Sequence, residues 1–150
     1  MPEPSRIVEI YMIGYGVNGK WAFQEIVKLC KTNDFIIFRG LAEINPDTRR
    51  QAAAEAEAHG INLQIFDHTL DMYQSASLSK NLIMVYDCGP SQLHYSHLIK
   101  SAHFGFWHFT EKPPAIKRHD FEKEAEYTKW YCDVLEEENE AVLTAMEYLV

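Results

Sequence analysis

The sequence predicts an α/β domain built on a doubly wound, mostly parallel sheet. Short apolar runs rich in β-branched residues alternate with helix-forming segments over about a hundred residues, the pattern of repeated strand–helix–strand units. A glycine-rich turn links the first strand directly to a helix. The continuous apolar run Leu82–Tyr86 is typical of a strand that is covered on both faces of a parallel sheet.

The first strand ends at Gly14, and Gly14, Gly16 and Gly19 have the G-x-G-x-x-G spacing. An apolar stripe that begins at Trp21 predicts a helix immediately afterwards. Gly14 would allow a sharp turn, and Gly16 would allow the backbone to approach a pyrophosphate. Gly19 would allow the helix and the strand to pack closely. The free N–H groups and the helix dipole would favour a phosphate, although a tight turn without a ligand could have the same residues.

The remaining units follow in order. A second strand lies within residues 34–43 and is interrupted at Arg39-Gly40. Asn45-Pro46 predicts a helix start, with Asn as N-cap and Pro in the first turn, and Gly60 predicts its end. The later elements are a short strand at 61–66, a weak helix at 67–77 capped by Asp67 or Thr69, the apolar strand at 82–86, a helix at 93–102 and an aromatic strand at 104–110. Right-handed crossovers would give this chain a Rossmann-type sheet.

The character of the sequence changes after Pro114. We expect residues 1–120 to form one domain and residues 121–150 to be a C-terminal extension, the start of a truncated second domain. The expected elements beyond Pro114 are a charged helix at 115–125, a strand at 127–135 and a helix at 139–149.

Composition excludes several classes of function. The net charge is −8 and basic residues form no cluster, which argues against a nucleic-acid partner. No apolar run is long enough to span a membrane and no signal-peptide core is apparent, so we expect no membrane partner. Three widely spaced cysteines indicate a reducing, cytoplasmic setting and neither a disulfide framework nor a zinc site.

Glu43 ends the second strand, where a carboxylate can accept hydrogen bonds from both ribose hydroxyls of an adenosine. It would repel a 2′-phosphate, which favours NAD over NADP as cofactor. Arg39, Arg49 or Arg50 could instead bind a 2′-phosphate, so NADP stays open. A solvated loop carboxylate is the alternative interpretation of Glu43.

The carboxyl ends of parallel strands share one edge, so Cys88–Ser91 and Glu111–Pro113 should lie on the same rim as Gly14–Gly19. Lys112 is a basic residue at a predicted strand end. If partly desolvated there, it could have a lowered pKa and exchange a proton with a substrate hydroxyl. An exposed lysine paired with Glu111 is the simpler alternative.

Four histidines, His94, His97, His103 and His108, occur in one region. They match no metal-binding motif, so no metal is predicted, and one of His94 and His97, three apart on a predicted helix, could simply be a packed, hydrogen-bonded residue. The aromatic residues at 104–109 are expected in the core and not as a platform for stacked bases.

In combination, four motifs resemble the N-terminal domain of the glucose-fructose oxidoreductase / inositol dehydrogenase (Gfo/Idh/MocA) family. They are the glycine turn, Ala42-Glu43 followed by Asn45-Pro46 and an Ala-rich helix, Gly89–His94 as a counterpart of the family's Thr-Pro-Asn-x-x-His loop, and Glu111-Lys112-Pro113. The resemblance covers roughly residues 5–115.

The resemblance implies an NAD(P)-dependent oxidoreductase that transfers hydride between nicotinamide and a sugar- or polyol-like alcohol, the hydride chemistry being that of the cofactor. Lys112 would reach the substrate hydroxyl and assist its proton transfer. The residues implied to bind cofactor are Gly14, Gly16, Val17, Asn18, Gly19 and Glu43 on the adenosine side and Gly89, Pro90, Ser91, His94 and Glu111 on the nicotinamide side.

The sequence departs from the family pattern at several positions. Gly89 replaces the usual Thr, and Ser91 replaces the usual Asn. Asp87 places a charge where a small apolar residue is commoner, and this charge could disturb cofactor binding. Glu43 is longer than the more usual Asp. The substrate-binding second domain is missing, so we expect these residues alone to bind cofactor weakly without turnover.

Two alternatives stay open at this point. The chain could be a non-catalytic Rossmann-like module that senses a nucleotide or mediates oligomer contacts, and a homo-oligomer is compatible with either reading. A small-molecule methyltransferase also uses a glycine turn and an acidic strand end, but gives Glu111-Lys112-Pro113 no purpose.

Overall fold

The computed structural model describes residues 6–111, in which five strands alternate with four helices. In chain order the elements are β1 (Val8–Ile13), α1 (Val17–Thr32), β2 (Ile36–Ala42), α2 (Pro46–Ala58), β3 (Gln64–Phe66), α3 (Thr69–Ala76), β4 (Leu82–Asp87), a 3-10 turn (Ser91–Leu93), α4 (His94–Phe104) and β5 (Trp107–Thr110).

All strand pairs are parallel, and the order in the sheet is β3-β2-β1-β4-β5. The chain therefore winds outward in one direction from β1 to β3 and then in the other from β4 to β5. The direction reverses between β1 and β4, the place where open α/β sheets bind ligands. The predicted Rossmann-type doubly wound sheet is confirmed.

Side chains of β1 alternate between the two faces of the sheet, and each face has its own core. Ile10 and Met12 pack with buried residues of α1 and α2, while Tyr11 and Ile13 pack with α3 and β4. Burial on both faces explains why the strands read as continuous apolar runs.

The start of α2 confirms the predicted cap. Asn45 Oδ1 accepts hydrogen bonds from the backbone N–H groups of Asp47 and Thr48, and Pro46 is the first helical residue. The cap predicted for α3 is wrong. His68 occupies the N-cap position without a side-chain hydrogen bond, and Thr69 is already helical.

Two strands are shorter than predicted. The third covers only Gln64–Phe66, and the fifth begins at Trp107. Phe104 is the last residue of α4, because Gly105 ends that helix in the left-handed conformation with φ of 72°. Phe106 then lies in the link to β5, where it is buried in the core.

The interruption predicted at Arg39-Gly40 is a β-bulge. Ile10 is opposite Phe38, whereas Tyr11 is opposite Gly40, which leaves Arg39 as the extra residue. Arg39 Nη2 lies 3.3 Å from Glu9 Oε1, and Glu9 is the second residue of β1. This ion pair is therefore near the amino end of the sheet, away from the rim that follows Ile13.

Lys112, Pro113 and the elements predicted beyond them lie outside the described residues, as does the boundary expected near residue 120. None of the helices within residues 6–111 combines the length and apolarity needed to cross a bilayer.

Candidate nucleotide-binding site

A cavity of about 470 Å³ opens at the carboxyl edge of the sheet, where its winding direction reverses. Its wall is formed by the ends of β1, β2 and β4, the loop before α3 and the residues before α4. The lining residues are Ile13, Gly14, Gly16, Ala42, Glu43, Ile44, Asp67, His68, Thr69, Leu70, Cys88, Gly89, Pro90, Leu93 and His97.

Gly14 and Gly19 are required by the fold itself. Gly14 has φ of 84°, and a Cβ there would lie 2.7 Å from the carbonyl oxygen of Cys88. A Cβ on Gly19 would lie 2.5 Å from the carbonyl oxygen of Gly14. Neither contact is sterically tolerable, so these two glycines allow β1, β4 and α1 to approach one another closely.

Gly16 differs from the other two glycines of the turn. Its φ of −75° and ψ of −158° are extended values that other residues adopt readily. A Cβ added there would meet no atom within 4 Å. Neither backbone conformation nor packing in the protein requires glycine at this position, so the space beside it is available to a ligand.

The start of α1 is suited to an anion. Gly16 is its N-cap and supplies no side-chain hydrogen bond, and the first turn contains no acidic residue. The first N–H groups of the helix consequently lack the capping acceptor that Asn45 gives to α2, and the positive end of the helix dipole reinforces them. Such an end accommodates a phosphate group.

Glu43 is held in place by the glycine turn. Its Oε2 accepts a hydrogen bond of 2.9 Å from the backbone N–H of Tyr15, and its Oε1 accepts one of 2.9 Å from that of Asn45. Each carboxylate oxygen can accept a further hydrogen bond. The half-buried carboxylate is therefore oriented in advance and can still bind two hydroxyl groups of a ligand.

The arginines considered as ligands of a 2′-phosphate have other partners. Arg49 donates to the carbonyl oxygens of Glu43 and Ile44 and pairs with Asp67. Arg39 pairs with Glu9 near the amino end of the sheet, and Arg50 pairs with Asp47 on the first turn of α2.

The sequence did not identify the segment from the β3–α3 loop into the first turn of α3 as part of the site. Asp67, His68, Thr69 and Leu70 all line the cavity, beside Ile44. The strand pattern could have identified this segment, because the carboxyl end of β3 must lie on the same rim as the other strand ends. Leu70 is 48% and Ile44 74% exposed, so together they offer an apolar surface to a flat ligand group.

The residues predicted on the β4 side are only partly brought together. Gly89 and Pro90 line the cavity, whereas Ser91 begins the 3-10 turn. His94 is buried behind the loop, with Nε2 2.8 Å from the carbonyl oxygen of Gly89. Because a carbonyl only accepts, Nε2 carries the proton in this bond.

Three further predicted residues lie at the rim without lining the cavity. Asn18 Nδ2 donates to Glu111 Oε2 at 3.1 Å, which joins the start of α1 to the end of β5. Val17 is 88% exposed. The predicted common rim is thus observed for the glycine turn, the Cys88–Ser91 loop and Glu111.

Asp87 does not line the cavity. Its fully buried carboxylate accepts a 2.9 Å hydrogen bond from the backbone N–H of Gly89 at Oδ1 and a 2.7 Å bond from His97 Nδ1 at Oδ2. Burial alone would raise the pKa of Asp87, but the hydrogen bond from His97 and the neighbouring imidazoles outweigh it and lower that pKa. Asp87 is thus a carboxylate, and its charge is directed into the protein.

A buried chain of hydrogen bonds continues from His97 to His108. Tyr73 OH donates to the carbonyl oxygen of His97 at 2.9 Å and lies 2.7 Å from Ser101 Oγ. Since Tyr73 has used its only proton, Ser101 donates to Tyr73 and accepts from His108 Nδ1 at 2.8 Å. His108 therefore carries a proton on Nδ1, and because burial lowers its pKa to about 4, it is the neutral Nδ1–H tautomer near pH 7.

The Nδ1–H tautomer explains why the other ring nitrogen of His108 has no partner. His108 Nε2 is buried without a hydrogen-bond partner and lies 3.8 Å from Asp87 Oδ2. Both atoms are acceptors in this tautomer, so they form no bond. Complete burial lowers the pKa of His108 to about 4, against the opposite influence of the Asp87 charge.

Cys88 lies in the cavity wall but is poorly suited to nucleophilic chemistry. Burial, with the nearby carboxylates of Glu111 and Asp87, raises the pKa of its thiol well above the ordinary value. Within the described part of the chain, no three side chains of His, Cys, Asp or Glu converge in a way that could hold a metal ion.

The sheet order, the glycine turn and the cavity at the reversal point define a Rossmann-type domain. No protein-family model matches the chain. No curated protein matches it either.

Solved structures resemble it at low sequence identity. WlbA dehydrogenase from Bordetella pertussis, in complex with NADH and UDP-GlcNAcA, has a TM-score of 0.66 at 19% identity, over 85% of this chain and 35% of that one. Scyllo-inositol dehydrogenase from Lactobacillus casei, with NAD(H) and scyllo-inositol, has a TM-score of 0.70 at 18% identity, over 85% of this chain and 34% of that one. A levoglucosan dehydrogenase in complex with NADH has a TM-score of 0.64 at 20% identity, over 83% of this chain and 32% of that one.

These structures are Gfo/Idh/MocA-type dehydrogenases, which agrees with the resemblance of the sequence motifs. At such identities the likeness establishes a shared fold. The chain spans about a third of the length of the solved chains it resembles.

Proposed function

We propose that residues 6–111 form the NAD-binding domain of a cytoplasmic oxidoreductase that transfers hydride between nicotinamide and a sugar- or polyol-like alcohol. The observation that carries the proposal is the open space at Gly16. A glycine that neither the backbone nor the packing requires stands at an uncapped helix start, beside a cavity of about 470 Å³. A diphosphate against the backbone gives this glycine its purpose.

The other residues of the rim fit the two halves of a dinucleotide. Glu43 would accept hydrogen bonds from the ribose hydroxyls of the adenosine half, whose base would lie between Ile44 and Leu70. The nicotinamide half would lie across the reversal point, against Gly89 and Pro90. The bound cofactor would supply the hydride chemistry, while Lys112 remains our proposal for the residue that exchanges a proton with the substrate hydroxyl.

The charges around Glu43 support NAD in preference to NADP. A 2′-phosphate would approach a carboxylate, and Arg49, which contacts the Glu43 carbonyl oxygen, is already bound to two carbonyl oxygens and Asp67. Binding NADPH would require Arg49 to give up these partners. We therefore expect NADH to bind more tightly than NADPH.

The fold neighbours support the cofactor and substrate class. Three of them were solved with NADH or NAD(H), and their other ligands or names refer to a nucleotide sugar, an inositol and levoglucosan. Because this chain spans about a third of such proteins, we expect it to bind cofactor without turning over a substrate by itself.

The test is a fluorescence titration of the full chain with NADH and NADPH, comparing wild type with Gly16→Ala. The added methyl group meets no protein atom, so the variant should fold normally, and it should weaken NADH binding by at least about tenfold because it occupies the space for the diphosphate. Lys31→Ala, at the exposed far end of α1, is the matched control. Absence of saturable binding by the wild type, or equal binding by wild type and Gly16→Ala, would contradict the proposal.

A further inference from the structure

Gly89 is bound at both of its backbone polar groups by buried side chains. Its N–H donates to Asp87 Oδ1 at 2.9 Å, and its carbonyl oxygen accepts from His94 Nε2 at 2.8 Å. Asp87 is 0% and His94 1% exposed, so both side chains that hold Gly89 are shielded from water. A loop residue in the cavity wall is therefore fixed by groups behind that wall.

Asp87 also occupies the space that a side chain at position 89 would need. A Cβ on Gly89 would lie 3.0 Å from Asp87 Oδ1 and 3.3 Å from both His97 Cε1 and Ile13 Cγ2. Gly89 is not among the glycines with positive φ, so the tight space and not the backbone conformation disfavours a side chain there. Asp87 and Gly89, two departures from the resembled motif, are thus parts of a single arrangement.

The buried carboxylate is stable in this position because its hydrogen bonds are made. An unpaired charge in the interior would be very costly, but Asp87 accepts from both Gly89 and His97. His97 is in turn held through its carbonyl oxygen by Tyr73. The hydrogen bonds behind Gly89 therefore connect β4 to α3 and α4.

We propose that Asp87 is a positioning residue of the cofactor site, acting through Gly89: its carboxylate fixes the wall formed by Gly89 and Pro90, against which the nicotinamide half binds. This inference rests on the proposed function. The adenosine half is bound by Glu43 and the glycine turn, on the other side of the reversal point. Asp87 should consequently affect only ligands that carry nicotinamide.

The experiment compares two ligands on the full chain. NADH has both halves of the dinucleotide, whereas ADP-ribose lacks the nicotinamide. Asp87→Ala removes the acceptor for Gly89 and should weaken NADH binding by about tenfold, while ADP-ribose binding changes by less than about twofold. Asp87→Asn retains an oxygen that can accept from Gly89 and should recover most of the NADH affinity.

A second pair of variants leaves the carboxylate of Asp87 in place. Asp87→Ala leaves the donors of Gly89 and His97 without an acceptor, and circular dichroism would reveal a failure to fold. His94→Leu removes the donor to the Gly89 carbonyl, leaves the Asp87–Gly89 hydrogen bond in place, and should give the same selective loss of NADH affinity. His94→Gln, which can donate from a similar position, should restore it, and Ser96→Ala on the exposed side of α4 is the matched control.

The shared space gives a further check. Gly89→Ala should weaken NADH binding in the wild-type background, because its Cβ would press on Asp87 Oδ1. In the Asp87→Ala background the same change should have a smaller effect, because the closest of the three contacts is gone, so that the two substitutions are not additive.

Each result decides between the possibilities. Equal loss of NADH and ADP-ribose affinity in the folded variants, unchanged NADH affinity, or additive effects of the two substitutions would overturn the role given to Asp87. A wild-type chain that binds neither ligand would instead refute the proposed function, and this inference with it.

Discussion

Replacing His108 by asparagine should remove most of the acid sensitivity that this residue gives to the fold. His108 is completely buried and neutral, with its Nδ1–H bound to Ser101 and its Nε2 without a partner. Unfolding exposes the ring to water, where it can accept a proton. Acid therefore stabilises the unfolded chain relative to the native one.

The size of the effect follows from the two pKa values. Burial lowers the pKa of His108 from 6.5 to about 4. Since the native value is the lower one, its contribution is fully present above pH 6.5 and is lost as the pH falls towards 4. Proton linkage then gives a loss in the free energy of unfolding of about 2 kcal/mol at pH 5 and about 3 kcal/mol at pH 4.

The measurement is urea unfolding at about pH 7, 6 and 5, followed by far-UV circular dichroism. Asparagine can place an amide near the position of Nδ1 and donate to Ser101, but it does not titrate. The variant should be less stable at neutral pH because the imidazole leaves a cavity. Its further loss of stability on acidification should be smaller than that of wild type by about 2 kcal/mol at pH 5.

The comparison isolates His108 from the other acidic and basic groups, because they are present in both proteins. The pKa of Asp87 is lowered from 3.8, so its protonation lies below this pH range. His103→Asn, on the exposed surface of α4, controls for the removal of one imidazole. Parallel pH profiles for wild type and His108→Asn would refute the assignment of a buried neutral ring.

Three further predictions can be checked with simple assays. Asn45→Ala removes the acceptor for two N–H groups at the start of α2 and should lower the free energy of unfolding by about 1 kcal/mol in urea; an unchanged midpoint would contradict the cap. Gly19→Ala forces a methyl group against the Gly14 carbonyl, so this variant should have a much lower melting temperature than wild type. Gly16→Ala should melt close to wild type. Equal melting temperatures for the two variants would show that the turn is not packed as described. In the native protein at pH 8, Cys88 should react with iodoacetamide more slowly than cysteine does in the urea-unfolded protein, because burial and nearby carboxylates raise the pKa of its thiol. A fast reaction in the native state would contradict this environment.

Local spacing in the sequence was sufficient to predict much of the fold. The glycine turn, the Asn45-Pro46 helix start and the break at Arg39 depend on neighbours close in the chain, and all three are observed. The end of α4 was misplaced because aromatic residues suit a strand and a helix core alike. Gly105 decides the boundary there through its left-handed conformation.

Contacts between distant residues could not be predicted in the same way. The interpretation of a histidine of the His94/His97 pair as a packed, hydrogen-bonded residue agrees with the structure, but nothing in the spacing identified Asp87 as the partner of His97. A charge at position 87, where the resembled family more often has a small apolar residue, suggests a disturbance of cofactor binding. The fold turns the carboxylate of Asp87 inward, where the side chains of α4 stabilise it.

The three glycines of the turn show why a motif alone leaves its function open. Gly14 and Gly19 would be needed in any protein that packs a strand, a turn and a helix this closely, whether or not it binds a nucleotide. Gly16 satisfies no such requirement, since its backbone is extended and its surroundings are empty. The motif thus divides into two positions that specify the fold and one that a ligand would explain. Binding and stability should therefore separate cleanly between substitutions at Gly16 and at Gly19.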